Sequence, residues 1–182
     1  MRGLLLTTCV FLVSCSSVEV DDYAERQPVF LPERFFAGSL KAYGVVKNYQ
    51  GYASRSFVAD IDACWKDGVG TLDESFLFDD GEPQTRVWSL SQNGDGSTYS
   101  ATAGDVRGVG TAAVSGNAMF LDYVLTIELE DGSIDVSVDD RMYLVDDNVL
   151  INESVMRKFG VPVGEILLTI IRYPDVEVSC PE

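Results

Sequence analysis

A regular alternation of apolar and polar residues, with a period of two, is the sequence feature that most restricts how this chain can fold. In "FVADIDACW", residues 57–65, every second residue from Phe57 to Trp65 is apolar, and Asp60 and Asp62 lie between them. The same alternation returns in "MFLDYVLTIELE" and in "SIDVSVDD". Successive side chains of a β-strand point to opposite faces, so this pattern predicts strands with one buried face.

Short turns that contain Gly separate the alternating segments. "KDGV", "DDGEP", "NGDGS", "SGN" and "EDGS" are each typical of a hairpin, because Asn-Gly and Asp-Gly pairs tolerate the positive φ of tight turns. No long amphipathic helix pattern interrupts the series. We therefore predict antiparallel strands at about residues 39–48, 54–66, 69–79, 84–92, 96–104, 107–115, 118–130, 133–145, 149–159 and 164–173.

Many consecutive antiparallel strands need a way to remove their unpaired edges, and closure into a barrel removes both. The sequence predicts an all-β fold, an antiparallel up-and-down β-barrel of the lipocalin-like or calycin-like kind with about 8–10 strands. A β-sandwich is the alternative. "LPERFFAG" has Pro and Gly where one short N-terminal helical turn would start and end. The small residues of 101–114 either open space inside the barrel or let a loop pack closely, or their glycines serve bends and bulges.

The N-terminus has the organisation of a secretory signal. Arg2 supplies a short positive region, and residues 4–13 are largely apolar but too few to span a membrane. The segment "LVSC", residues 12–15, resembles the bacterial lipobox, so we predict cleavage after Ser14 and lipidation of Cys15. The alternative is an ordinary secretion signal in which Cys15 is incidental.

This interpretation divides the chain into a signal peptide (1–14), a lipidated N-terminus with a flexible tether (15–28), one barrel domain (29–175) and a C-terminal tail (176–182). Acyl chains on Cys15 would make the membrane the first partner. Ser16 stands where an Asp would resemble an inner-membrane retention signal. In a Gram-negative cell we therefore expect the cell envelope, at the periplasmic face of the outer membrane.

The charge and the residue types present exclude several functions. The formal net charge is −16 at pH 7, so we expect no nucleic-acid partner. The absence of histidine excludes Ser-His-Asp catalysis and His-ligated metals. "NGDGS" and "DDGEP" lack the spaced ligands of an EF-hand loop, so we read them as turns and predict neither a metal site nor a cofactor. Cys64 and Cys180 could form a disulfide or remain free thiols, and their spacing does not decide between these.

Several segments carry a resemblance to a known family. They are the lipobox, "FFAGSLKAYGVV", "GTLDESFLFDDGEPQTRVWSL" and "VDDRMYLVDDNVLINESVMRKFGVPVGEILLTIIR". Together they resemble the bacterial lipoprotein family catalogued as domain of unknown function 3833, over nearly the whole chain after cleavage. The resemblance implies a lipid-anchored envelope protein with a calycin-type barrel, and it implies no established activity.

Five side chains are candidate ligand contacts inside such a barrel: Arg86, Trp88, Tyr123, Arg141 and Met142. In this interpretation an arginine would bind the carboxylate or phosphate end of a ligand by a bidentate contact, and the other side chains would line an apolar cavity. The alternative is that the arginines form structural ion pairs and that the other side chains belong to the core.

Three functions are compatible with the sequence. We favour a non-catalytic barrel that binds a fatty-acyl or other apolar small molecule close to the membrane. A scaffold with a filled barrel, acting on an envelope protein partner, is the second. An enzyme acting on lipid or glycan is the third. It needs two acids with shifted pKa values in one cleft, for which Glu74 with Asp139 or Asp140 would be an arbitrary choice. We therefore predict that the protein is not an enzyme.

Overall fold

The structure is a computed structural model, and it describes residues 17–129 and 131–180. The described residues form one short 3₁₀ helix (Val20–Tyr23), one helical turn α1 (Pro32–Phe35) and ten β-strands. No helix in these ranges is long and apolar enough to cross a membrane. The strands are β1 Gly38–Asn48, β2 Ala53–Lys66, β3 Val69–Phe78, β4 Pro83–Gln92, β5 Thr98–Thr102, β6 Gly110–Ser115, β7 Ala118–Leu129, β8 Gly132–Asp146, β9 Val149–Lys158 and β10 Val161–Tyr173.

Each strand pairs antiparallel with its neighbours in the sequence, and β10 pairs with β1 to close the sheet. The predicted antiparallel up-and-down barrel is therefore confirmed, and the fold is not the alternative sandwich. The predicted burial is confirmed as well, since Ala59, Ile61 and Ala63 of β2 are buried and the two aspartates between them, at positions 60 and 62, are exposed. The alternation and the hairpin turns were sufficient signals for this architecture.

One end of the barrel is closed by the segment that precedes β1. Phe30, Phe35 and Phe36 are buried there and pack on one another, with ring centroids 5.2–5.8 Å apart. The indole N–H of Trp65 donates a hydrogen bond of 2.8 Å to the carbonyl of Phe36. The predicted helical turn in "LPERFFAG" is confirmed as α1, and it forms the floor of the barrel. We call this end the closed end and the opposite end the far end.

The residues just upstream, which the sequence assigns to a tether, lie against the outside of the barrel from residue 20 onward. The ring of Tyr23 packs against Phe120 and Tyr143, with centroids 5.8 and 5.4 Å away. Gly116, in the β6–β7 turn, has φ +54°, and a Cβ there would lie 1.7 Å from the carbonyl oxygen of Tyr23. Only glycine therefore fits this contact between turn and N-terminal segment.

The glycine-rich run differs from the prediction. Strands expected at 96–104 and 107–115 are shortened to β5 and β6, and residues 103–109 between them form a loop. The loop lies against β7, where the N–H of Arg107 donates to the carbonyl of Val124 over 2.8 Å. Gly110 permits this approach, because a Cβ there would lie 3.0 Å from Cβ of Tyr123. The glycines therefore serve bending and close backbone contact at this point of the wall.

The C-terminal tail is linked covalently to the barrel. Cys64 on β2 and Cys180 form a disulfide, with Cα atoms 5.4 Å apart and a sequence separation of 116. Cys64 belongs to the outer face of its strand, and it is buried at 7% exposure although the aspartates in the same phase are exposed. The bond fixes the tail at the closed end.

We expect the substitution Cys180→Ser to lower the free energy of unfolding by about 2–4 kcal/mol, because a cross-link over so long a separation restricts the unfolded chain. Urea unfolding of both proteins measures the difference. Dithiothreitol should destabilise the wild type by a similar amount and leave the variant unchanged. Equal stability of the two oxidised proteins would contradict this prediction.

Candidate functional site

A cavity of about 150 Å³ lies inside the barrel, between the closed end and the far end. It reaches from Phe36 above α1 to Phe78 and Gln84 beside the β3–β4 turn, and side chains of β1–β4 and β7–β10 line it. Most of the lining is aliphatic or aromatic. An apolar cavity of roughly this volume can hold a benzene-sized compound. A barrel filled by side chains, the second function considered above, predicts no such cavity.

The aromatic part of the lining depends on a glycine. Phe57 packs on Phe76 and Phe78, with ring centroids 5.5 and 5.6 Å away. Its cross-strand partner is Gly44, and a Cβ at that position would lie 2.3 Å from the Phe57 ring. The missing side chain at Gly44 therefore gives the ring its place on the wall.

Four of the five predicted ligand contacts line the cavity together. They are Arg86, Trp88, Tyr123 and Met142. The rings of Trp88 and Tyr123 meet edge to face at 5.2 Å, and burial raises the pKa of the Tyr123 hydroxyl far above its usual range. The structure thus brings these residues into one site.

Arg141, the fifth predicted contact, lies on the outer face of β8. Its Nε donates a hydrogen bond of 3.0 Å to Asp139, and its guanidinium lies 4.6 Å from the centroid of the Phe120 ring. Because Asp140 and Met142 face the cavity, alternation along the strand directs Arg141 outward. The prediction for Arg141 therefore does not agree with the structure.

Arg86 faces the cavity but is already paired. Its Nε donates to both carboxylate oxygens of Asp105, at 3.1 and 3.0 Å, and its Nη2 donates to one of them at 2.6 Å. Asp105 belongs to the 103–109 loop, so the pair connects this loop to β4. This is the structural ion pair that the sequence left open as the alternative role of the arginine.

Glu74 lines the cavity, although no motif in the sequence distinguished it from the other acids. It is the register partner of Arg86 on the neighbouring strand, and its carboxyl group accepts no hydrogen bond from the part of the chain that the structure describes. Burial raises its pKa from 4.5 to about 7, although the nearby Arg86 acts in the opposite direction. The sequence signal that could have identified Glu74 is its position along the strand, because it alternates in phase with the inward residues Leu72 and Phe76.

Asp140 faces the same cavity from β8. It is buried, and it accepts hydrogen bonds from Nδ2 of Asn152 and, at 2.8 Å, from Oγ of Ser154. Burial raises its pKa from 3.8 to about 6, while these two hydrogen bonds oppose the rise. We call Glu74, Arg86, Asp140, Asn152 and Ser154 the polar wall of the cavity.

The polar wall carries more negative than positive charge. Asp105 neutralises Arg86, which leaves the carboxyl groups of Glu74 and Asp140 without a cationic partner at salt-bridge distance within residues 17–129 and 131–180. These same ranges contain no group of three side chains suited to a metal ion. A carboxylate enzyme needs two acids with shifted pKa values in one cleft. Glu74 and Asp140 face the same cavity with raised pKa values, so they also meet this condition.

Comparison with known proteins places the chain in a family. Residues 9–172 match the family described as Protein of unknown function (DUF3833). The chain is a DUF3833 protein. The resemblance noted in the sequence is thus confirmed, and a search of curated proteins finds no match.

Two solved structures resemble this DUF3833 protein in fold. An S-type phycobiliprotein lyase, CPES from Guillardia theta, is 13% identical, with a TM-score of 0.58 over 86% of this chain and 98% of that chain. A protein of unknown function from the DUF3598 family of Nostoc punctiforme PCC 73102 is 14% identical, with a TM-score of 0.55 over 81% of this chain and 51% of that chain. At these identities the likeness establishes the shared barrel fold.

In the DUF3833 protein we expect Glu74→Gln to stabilise the barrel at about pH 8 by on the order of 2 kcal/mol and to have little effect at about pH 4. The folded chain holds the Glu74 proton more tightly than the unfolded chain does. Ionisation therefore destabilises the fold as the pH rises from about 4.5 to about 7. Urea unfolding across this pH range measures the effect.

The matched control is Asp73→Asn, which removes an exposed carboxylate from the outer face of the same strand. At about pH 8 the gain in the free energy of unfolding should be larger for Glu74→Gln than for this control. A Glu74→Gln variant that is less stable than the wild type at about pH 8 would contradict the assignment of a destabilising buried charge.

Proposed function

We propose that this protein is a lipid-anchored envelope lipoprotein whose barrel binds a small apolar ligand close to the membrane, without catalysis. The observation that carries the proposal is the apolar cavity enclosed by the barrel. Ligand sites are typically concave and mostly apolar, with a few polar groups that orient the bound compound. The polar wall supplies such groups on one side of this cavity.

The size of the cavity limits the ligand. At about 150 Å³ it suits one aromatic ring or a short alkyl segment. A complete fatty-acyl chain is larger, so it would enter only in part unless the barrel widens. The proposed ligand is therefore a fatty-acyl compound whose terminal segment enters the cavity, or another apolar small molecule of about that size.

The far end of the barrel supports a location close to a membrane. Exposed apolar side chains lie in or beside the turns at that end: Tyr49, Tyr52, Leu129 and Phe159. Phe159, at the tip of the β9–β10 turn, is 93% exposed. Apolar side chains at such exposed tips favour contact with another apolar phase, such as the surface of a lipid bilayer.

We expect Leu168→Trp to weaken the binding of benzene-class compounds about tenfold or more, because Leu168 lines the cavity and a larger side chain there would fill it. The matched control is Leu167→Trp, which adds the same ring on the outer face of β10 and should bind as the wild type does. Native mass spectrometry with toluene and indole, on the chain from Ser16 to Glu182, measures occupancy.

Failure of the wild type to bind any apolar compound of this size would overturn the proposal, as would equal binding by both tryptophan variants. Mass analysis of the recovered compound adds a further test. A chemically altered product formed by the wild type and not by Glu74→Gln would indicate the carboxylate enzyme instead.

We expect Cys15→Ala to move the protein from the membrane pellet to the soluble fraction of a Gram-negative host. Cys15 lies outside the described residues, and the expectation rests on the lipobox and on the contribution of about 0.8 kcal/mol for each buried methylene of an acyl chain. Labelling with radioactive palmitate should mark the wild type and not the variant. A labelled variant, or a wild type that is soluble, would contradict lipid anchoring.

A further inference from the structure

Arg86 is the only cationic side chain that lines the cavity within the described ranges, and a ligand would have to compete for it. Asp105 occupies both Nε and Nη2 of the guanidinium through three hydrogen bonds. A carboxylate ligand that bound Arg86 would have to displace Asp105 and so detach the 103–109 loop from β4. The cavity is therefore poorly suited to anionic compounds.

The two remaining charged groups of the polar wall are acids without a positive partner. Asp140 accepts hydrogen bonds only from the neutral side chains Asn152 and Ser154 among the residues that the structure describes. Glu74 has no hydrogen-bond partner in those ranges, and its nearest cation, Arg86, is engaged by Asp105. A bound compound would therefore face two carboxyl groups inside an otherwise apolar cavity.

In the free protein, keeping these ionised carboxylates away from water is unfavourable in free energy. Burial raises the pKa of Glu74 to about 7 and that of Asp140 to about 6, which is the sign of charges that lack solvation. A cation that enters the cavity would relieve part of this cost, because opposite charges attract strongly where the dielectric constant is low. An incoming anion would increase it.

We infer that the cavity selects a small apolar amine, bound as its cation beside Glu74 and Asp140, over the corresponding alcohol and carboxylate. This inference rests on the proposed function, since it names the class of apolar ligand that the same cavity takes. The apolar body of the amine lies among the aromatic side chains, and its ammonium group donates hydrogen bonds to Glu74.

The test compares benzylamine, benzyl alcohol and benzoate, which share one ring and differ in their polar group. Isothermal titration at about pH 8, on the chain from Ser16 to Glu182, should give the order amine, alcohol, carboxylate, with about tenfold or more between the first and last affinities. This chain contains every residue of the described barrel. Shifts of the Trp88 indole N–H resonance locate the bound compound in the cavity.

The substitution Glu74→Gln should lower the affinity for benzylamine about tenfold and change the affinity for benzyl alcohol by no more than about twofold. Asp73→Asn, on the outer face of the same strand, should leave the order of the three affinities unchanged. These two variants separate a contact inside the cavity from the effect of the overall negative charge.

Lowering the pH should lower the affinity for benzylamine and leave the affinity for benzyl alcohol unchanged. Glu74 faces Arg86 on β4, Asp105 in the loop, Tyr123 on β7 and Asp140 on β8. Because burial raises the pKa of Glu74 to about 7 and that of Asp140 to about 6, both take up protons between about pH 8 and pH 5. We expect about a tenfold loss of benzylamine affinity over that interval.

Each outcome decides between the two proposals. Absence of binding by all three compounds and by toluene and indole would overturn the proposed function, and the inference with it. Binding of toluene or indole alone would overturn only the inference. Binding of all three with equal affinity, or tightest binding of benzoate, would overturn the inference and leave an apolar binding barrel in place. A benzylamine affinity that Glu74→Gln does not change would also overturn the inference.

Discussion

The pairing of β1 with β10 is the interaction on which the rest of the structure depends. Ten residue pairs, from Ser39 with Tyr173 to Asn48 with Gly164, join the first strand of the sheet to the last. Without this ladder the sheet would have two unpaired edges and no enclosed interior. With it, the phase of alternation along each strand decides whether a side chain faces the cavity or the solvent.

Closure also explains how polar groups come to share an apolar interior. Glu74 and Arg86 are register partners on β3 and β4, whereas Asp140 and Ser154 are register partners on β8 and β9. The two pairs belong to separate hairpins, and the curvature of the sheet brings them to one cavity. Because these groups are buried there, the charge on each depends on its neighbours, and the strand register therefore sets the electrostatics of the cavity.

The sequence predicted the architecture well because alternation and hairpin turns are local signals. The same alternation puts Met142 on the inner face of β8 and therefore directs its neighbour Arg141 outward, so the choice of both as cavity contacts does not agree with the phase of one strand. The partners of the charged residues could not be predicted, since Arg86 meets Asp105 only through the folding of the glycine-rich loop. The disulfide joins residues 116 positions apart, and no local pattern indicates such a contact.

The shortened strands give the barrel wall one section of a different kind. β4 pairs with β5 only from Ser89 to Gln92, so along its first half the wall continues through the 103–109 loop. Two backbone hydrogen bonds, from Arg107 to Val124 and from Thr126 to Asp105, hold this loop to β7. Toward β4 the described residues show the ion pair of Arg86 with Asp105 and no continuing backbone ladder. Segments with sparse backbone hydrogen bonding open at lower free energy than continuous ladders do. The barrel wall thus has a lateral seam between β4 and the 103–109 loop, where a side-chain ion pair takes the place of a strand ladder.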